Sequence, residues 1–147
     1  MKKTALILIS LMLFNFSFSP MFSNEKIKDA KFSDLPTLTQ DFIKKYFPNK
    51  TIAEINIEKG RKAEIEFKDG IELDFGREGF WKEIESEKGI HLTDLQMLPG
   101  QMLTSLKDDF GNWKILKVDQ EDLLYEVTLI NKKKIKIRYD LNGQYLF

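Results

Sequence analysis

With 147 residues the chain has room for one domain, or for two small halves sharing a core. Its 23 basic and 23 acidic side chains cancel, so net charge gives no argument for nucleic acid or for an anionic membrane. Cysteine is absent, which excludes a disulfide framework, thiolate zinc ligands, a cysteine nucleophile and the lipid-bearing cysteine of a lipoprotein.

Residues 1–23 read as a secretory signal. Lys2 and Lys3 give a positive start, and Ala5 to Phe18 form an apolar run of 14 residues interrupted by Asn15. That run is short for a bilayer span, which needs about 20 apolar residues. Cleavage is expected near Ser23, because Pro20 would sit badly just after a cut at Ser19. The remaining chain then carries 21 basic against 23 acidic side chains and has no stable membrane insertion of its own. A periplasmic or secreted location follows. Residues 24–34 are polar without a clear period and read as an N-terminal arm.

Leu35-Pro36 opens a helix, since proline at the first turn loses no hydrogen bond. Leu38, Phe42, Ile43, Tyr46 and Phe47 recur at three- and four-residue steps and make one apolar face. Pro48 ends it. Four strands are then expected: Thr51–Glu58 with Ala53, Ile55 and Ile57 inward; Arg61–Lys68 with Ala63, Ile65 and Phe67 inward; a strand with Ile71, Leu73 and Phe75 inward; and Phe80–Glu85. Asp69-Gly70 between the second and third is the signal of a two-residue type I′ hairpin. Residues 86–96 read as a connector.

The second half repeats the plan. Pro36 and Pro99 are 63 positions apart, as are Phe47 and Phe110, while Gly79 and Gly143 are 64 apart. Met102, Leu103, Leu106 and Phe110 supply a second helix stripe, with Gly111 where the first copy has proline. Leu116 and Val118, then Leu123, Tyr125, Val127 and Leu129, then Ile135, Ile137 and Tyr139 are the expected inward positions. The fold class is therefore α+β: two tandem helix-plus-four-strand repeats, 35–85 and 97–147. Their antiparallel curved sheet carries both helices on one face and is wet on the other.

Leu35-Pro36, Gln40, Phe42-Ile43, Tyr46-Phe47-Pro48, Ala63-Glu64-Ile65, Asp69-Gly70 and Gly79-Phe80-Trp81 resemble the PepSY-like, β-lactamase-inhibitor-like family of exported bacterial proteins. Tyr125-Glu126-Val127 and Asp140 with Gly143 resemble its second repeat. The resemblance spans nearly everything after residue 34 and departs from the pattern at Gly111. It implies periplasmic proteins of the inhibitor fold and says little about activity.

Nothing in the chain assembles a catalytic constellation. His91 is the sole histidine and falls in the expected connector, beside no nucleophile elbow, so a Ser–His–Asp triad is not expected. Gly70, Gly76 and Gly79 are turn glycines, not a phosphate loop. Paired carboxylates are plentiful, but they alternate along a wet face, whereas a glycosidase pair needs a cleft and unequal environments. No enzyme, cofactor or metal centre is expected.

The charge pattern on the open face is more telling. Glu54, Glu58, Glu64, Glu66, Glu72, Asp74, Glu83 and Glu85 fall there in the first half, with Lys62, Lys68 and Lys82. Lys117, Lys134, Lys136 and Arg138 fall there in the second, with Asp119 and Glu126. A neutral chain would thus present an acidic half-face beside a basic one. Glu64 and Glu66 should face Glu72 and Asp74 across the hairpin, an arrangement of like charges that costs stability. A cationic partner would relieve it; salt screening on an ordinary solvated face is the plainer reading.

If Phe80 and Ile84 point inward, Trp81 points outward with Glu83, and Tyr145 is its repeat mate. A bulge or slip would instead bury Trp81. The expected role is a binding module whose contact residues are Trp81, Tyr145, Glu64, Glu66, Glu72, Asp74, Lys134, Lys136 and Arg138, with an exported or envelope protein as partner and no nucleic acid. The alternatives are an inhibitor of a periplasmic or secreted hydrolase, and a cation or small-ligand binder on the acidic half.

Overall fold

The computed structural model describes residues 26–27, 29–58 and 62–147. The expected signal segment 1–23 lies outside them. Seven strands of four to ten residues form one open antiparallel sheet in simple meander order. They are β2 (Ile52–Glu58), β3 (Ala63–Phe67), β4 (Glu72–Phe75), β5 (Trp81–Ile90), β6 (Lys114–Gln120), β7 (Leu124–Ile130) and β8 (Lys134–Asp140). A two-residue strand β1, Lys26–Ile27, adds to the edge at β2. Helices α1 (Thr37–Tyr46) and α2 (Gly100–Asp108) precede β2 and β6.

The eighth strand is therefore not where the sequence pattern puts it. The second half holds three strands, and its fourth is reduced to a bridge between Tyr139 and Tyr145. Leu146 donates its N–H to Arg138 there, and Arg138 donates in turn to Phe147. The N-terminal arm supplies the missing edge instead. Ile27 pairs with Ile57, and Ala30 donates to the Ile55 carbonyl at 3.0 Å.

Both helices lie on one face. Phe47, just past the end of α1, stacks on Phe67 at 5.3 Å, and Phe42 of α1 meets Phe75 edge-on at 5.4 Å. In α2, Met102 and Leu106 are fully buried, and Ser105 Oγ lies 3.1 Å from the Tyr139 hydroxyl. Alternation in the strands then builds a single apolar layer, with Ile65, Leu73, Ile84, Val118, Val127 and Leu129 all at 0 % exposure.

Pro36 and Pro99 stand immediately before α1 and α2 in extended conformation. Each helix start is clamped by a glycine with positive φ. Gly79 (φ +89°) lies against Pro36, Leu38 and Thr39, and Gly143 (φ +87°) against Pro99 and Met102. The buried Thr39 hydroxyl donates to the Gly79 carbonyl at 3.2 Å.

Three hairpin-like turns share one geometry. Phe67 donates to the Ile71 carbonyl, Gly76 to Phe80 and Asp140 to Gln144, and each loop has three residues ending in a left-handed glycine: Gly70, Gly79 or Gly143. Asp69 itself has no positive φ, so Asp69-Gly70 belongs to this three-residue turn and not to a two-residue type I′ turn.

Bulges account for the other departures. The β2–β3 register shifts between Ile52 and Glu54, which turns Ala53 out to solvent while Ile55 and Ile57 stay buried. A shift between Asp74 and Phe75 places Phe75 opposite Trp81, so Trp81 is buried and Phe80 is exposed. A shift between Ile115 and Lys117 leaves Leu116 half-buried, and Ile115 takes its inward place. Leu123 sits in the β6–β7 turn at 80 % exposure. Strand β5 continues to Ile90, through half of the expected connector.

Candidate functional site: the open charged face

The face opposite the helices is read directly from the strand register. One row across the sheet runs Glu54, Glu66, Glu72, Glu85, Lys117, Thr128, Lys136; its neighbour runs Asn56, Glu64, Asp74, Glu83, Asp119, Glu126, Arg138. Each residue faces the next across a strand pair. The expected opposition of Glu66 to Glu72 and of Glu64 to Asp74 is present. Along these two rows basic residues enter only from β6 onward, so the rows are acidic over β2–β5 and mixed to basic at β8; beside them Lys62 and Lys82 line one hollow with Glu58, Glu64 and Asp74.

Electrostatics vary along the rows with the cations within reach. Glu126 is buried and held from two sides, by Lys136 Nζ at 2.5 Å and Arg138 Nη2 at 2.9 Å. The hydrogen bonds from those cations keep its carboxyl below the ordinary range. Lys117 Nζ sits between Glu83 at 2.8 Å and Asp119 at 3.2 Å. Asp119 is nevertheless pushed up to about 6, first by partial burial and then by its hydrogen bond with Glu83. One ammonium between two carboxylates does not neutralise both.

Glu72 and Asp74 lie where the acids are densest. Both carboxyls are raised, first by partial burial and then by charge repulsion, Glu72 from Glu85 and Glu66, Asp74 from Glu64 and Glu85. Among the described residues no three His, Cys, Asp or Glu side chains converge to hold a metal ion.

The two aromatic residues expected on this face are not on it. Trp81 stacks on Tyr125 at 6.2 Å and lies 6.3 Å from Phe42 of α1, inside the helix-side core. Tyr145 is half-exposed at the β8 edge, its ring 5.7 Å from the core residue Tyr139 and 6.1 Å from Phe110. Glu64, Glu66, Glu72, Asp74, Lys136 and Arg138 are all brought onto the open face, and Lys134 stands at its lower rim beside Thr128 and Glu85. His91 is exposed at the end of β5. The sequence pattern gives no sign of Phe147, whose ring lies 5.3 Å from the Arg138 guanidinium.

This architecture is that of a helix-backed, open-faced β-sheet module. The chain belongs to the family described as "Putative beta-lactamase-inhibitor-like, PepSY-like", whose model matches residues 21–77 and 61–146. No curated protein sequence matches it.

Solved structures share the fold. A "putative calcium-regulated periplasmic protein" of Bacteroides thetaiotaomicron is 21% identical with a TM-score of 0.69, over 83% of this chain and 94% of that one. A "putative periplasmic protein of unknown function" of Bacteroides vulgatus is 24% identical with a TM-score of 0.69, over 84% of this chain and 98% of that one. A Bacteroides vulgatus protein of the DUF2874 family is 21% identical with a TM-score of 0.67, over 84% and 95%.

Proposed function

We propose that the chain is an exported, non-catalytic binding module that engages a protein partner through the open face of its sheet. The observation that carries this reading is the unrelieved opposition of Glu66 to Glu72 and of Glu72 to Glu85 on an uncovered face. Folding alone gains nothing from like charges held in register. A basic partner surface would convert that cost into attraction, and would dock faster at low salt. The periplasmic proteins of the same fold support an envelope or secreted location, and the proposal has it reached through a cleaved signal at 1–23, without lipidation.

Within this reading, residues 35–85 and 97–147 are two copies of one unit. The matching clamps of Gly79 on Pro36 and of Gly143 on Pro99 support that view. The linking segment then starts at His91, since β5 runs on to Ile90.

The test is cross-linking in cells that export the chain, with the contact mapped by hydrogen-exchange protection. Wild-type protein should show one partner protected against β3–β5, and a Glu64→Lys, Glu66→Lys double variant should lose it. Protection confined to the helix side would sink the face assignment.

Inhibition of a periplasmic or secreted hydrolase is the second reading, favoured by the inhibitor-like description of the family. It requires a stoichiometric complex that abolishes one hydrolase activity. A partner retained with full activity would exclude it.

A further inference from the structure

One edge of the sheet is covered and the other only in part. At the β2 edge the N-terminal arm pairs through Lys26 and Ile27 and reaches the Ile55 carbonyl through Ala30. At the β8 edge the upper stretch alone is occupied. Arg138 donates to Phe147 and accepts from Leu146, and Asp140 donates to Gln144. Backbone groups along a strand face alternate sides, so below Arg138 the N–H and C=O groups turned outward belong to Lys136 and Lys134. Among the described residues neither makes a backbone hydrogen bond on that side. Such an unpaired stretch is a template for an added strand. Residues 145–147 show that this edge accepts one, just above the uncovered stretch.

Two further observations fall along the same edge. Ile137 is buried, while Ile135, next on the same inward side, is only half-buried, so the apolar layer thins where the pairing stops. Leu141, Tyr145, Leu146 and Phe147 are all exposed beside it. Charge then selects the occupant. Lys132, Lys133, Lys134 and Lys136 are exposed, and among the described residues only Lys136 has an acidic partner, Glu126. Lysines on an edge repel the same edge of a second copy. The same charge admits a strand of opposite sign.

We propose that the lower edge of β8, Lys134 to Ile137, takes an extended acidic segment of a partner protein as an added strand. Acidic side chains of that segment lie beside Lys134 and Lys136 on the open face, where opposite charges across a strand pair attract. The alternate residues fall on the helix side beside Ile135 and are apolar. The edge backbone supplies affinity, and the lysines and Ile135 read the alternating pattern. This surface is separate from the acidic rows of β2–β5 and does not rest on them.

The experiment is an NMR titration of the isotope-labelled protein with the blocked peptide Glu-Val-Glu-Val-Glu. The controls are Lys-Val-Lys-Val-Lys and the acidic peptide N-methylated at its Glu nitrogens, which keeps its charge and cannot donate to the edge. The expected result is saturable shifts of the Lys134 and Lys136 amides, with slowed hydrogen exchange there, for the unmethylated acidic peptide only. Lys134→Glu should weaken binding roughly fivefold or more, since an opposed pair of unlike charges becomes one of like charges. Lys62→Glu, an exposed lysine away from β8, should leave it unchanged.

Equal shifts with the methylated peptide would mean attraction without strand pairing and would overturn the proposal. So would full binding by Lys134→Glu, or an absence of saturable shifts at Lys134 and Lys136. Shifts of those amides with protein concentration alone would assign the edge to a second copy and overturn it too. Protection on β3–β5 tests the face and peptide binding tests the edge, so either reading can fail alone.

Discussion

Single residues at the helix starts control this fold more than their size suggests. A β-carbon on Gly143 would stand 2.8 Å from the Met102 backbone nitrogen and 2.8 Å from Pro99 Cβ, in a left-handed backbone that only glycine adopts freely. Strain and collision act together, and neither the helix nor the turn can yield without the other. Gly143→Ala is expected to cost about 2–3 kcal/mol of stability, read as a lower urea midpoint with unchanged slope. Gly100→Ala is the control, because nothing lies within 4 Å of its added carbon. Equal midpoints for the two variants would refute the clamp. The sequence made Gly79 legible as a turn residue and Gly143 as its counterpart 64 positions on. It could not show that Gly143 touches α2, since that contact joins segments about a third of the chain apart.

At the scale of elements, alternation placed most of the sheet and failed at bulges. Ala63, Ile65 and Phe67 in β3, Val127 and Leu129 in β7, and Ile137 and Tyr139 in β8 are buried as their period implies. Ala53, Leu116 and the Phe80-Trp81 pair are not, because each adjoins a register shift that inserts one residue and reverses parity beyond it. Nothing in the local composition marks those insertions; they answer to the sheet's twist and to the helices that must be covered. The acidic rows survived because β3 and β4 pair without a shift. Trp81 is where the reversal matters most. Packed between Phe42 and Tyr125, it belongs to the core, so Trp81→Ala should cost about 3–5 kcal/mol. Phe80→Ala, 59 % exposed, should change stability little. Denaturant melts of the two variants decide it, and the opposite ranking would restore Trp81 to the surface.

Across the whole molecule, zero net charge conceals a face at odds with itself, and pH exposes it. Asp119, raised to about 6, together with the raised Glu72 and Asp74, binds protons more tightly in the folded state than in the unfolded one. Their contribution to stability is thus greatest when they are protonated and declines as pH climbs from the ordinary carboxylate range through about 6. Glu126 and Asp69 are lowered and act oppositely, supporting the fold above the ordinary carboxylate range and losing that support as pH falls through their folded values. The two sets separate on the pH axis, so the raised carboxyls Asp119, Glu72 and Asp74 carry the decline as pH passes about 6. Asp119→Asn should therefore leave the melting temperature nearly unchanged near pH 3, below the ordinary Asp value, and raise it at pH 7.5, by about 2–4 °C for each kcal/mol regained. Raising the salt at pH 7.5 should lift wild type toward the variant, since exposed like charges are screened within about 10 Å at 0.1 M. A variant less stable than wild type at pH 7.5 would mean that the Lys117–Asp119 attraction outweighs the repulsion from Glu83. The face would then be a balanced ion-pair lattice with no excess charge to offer a partner.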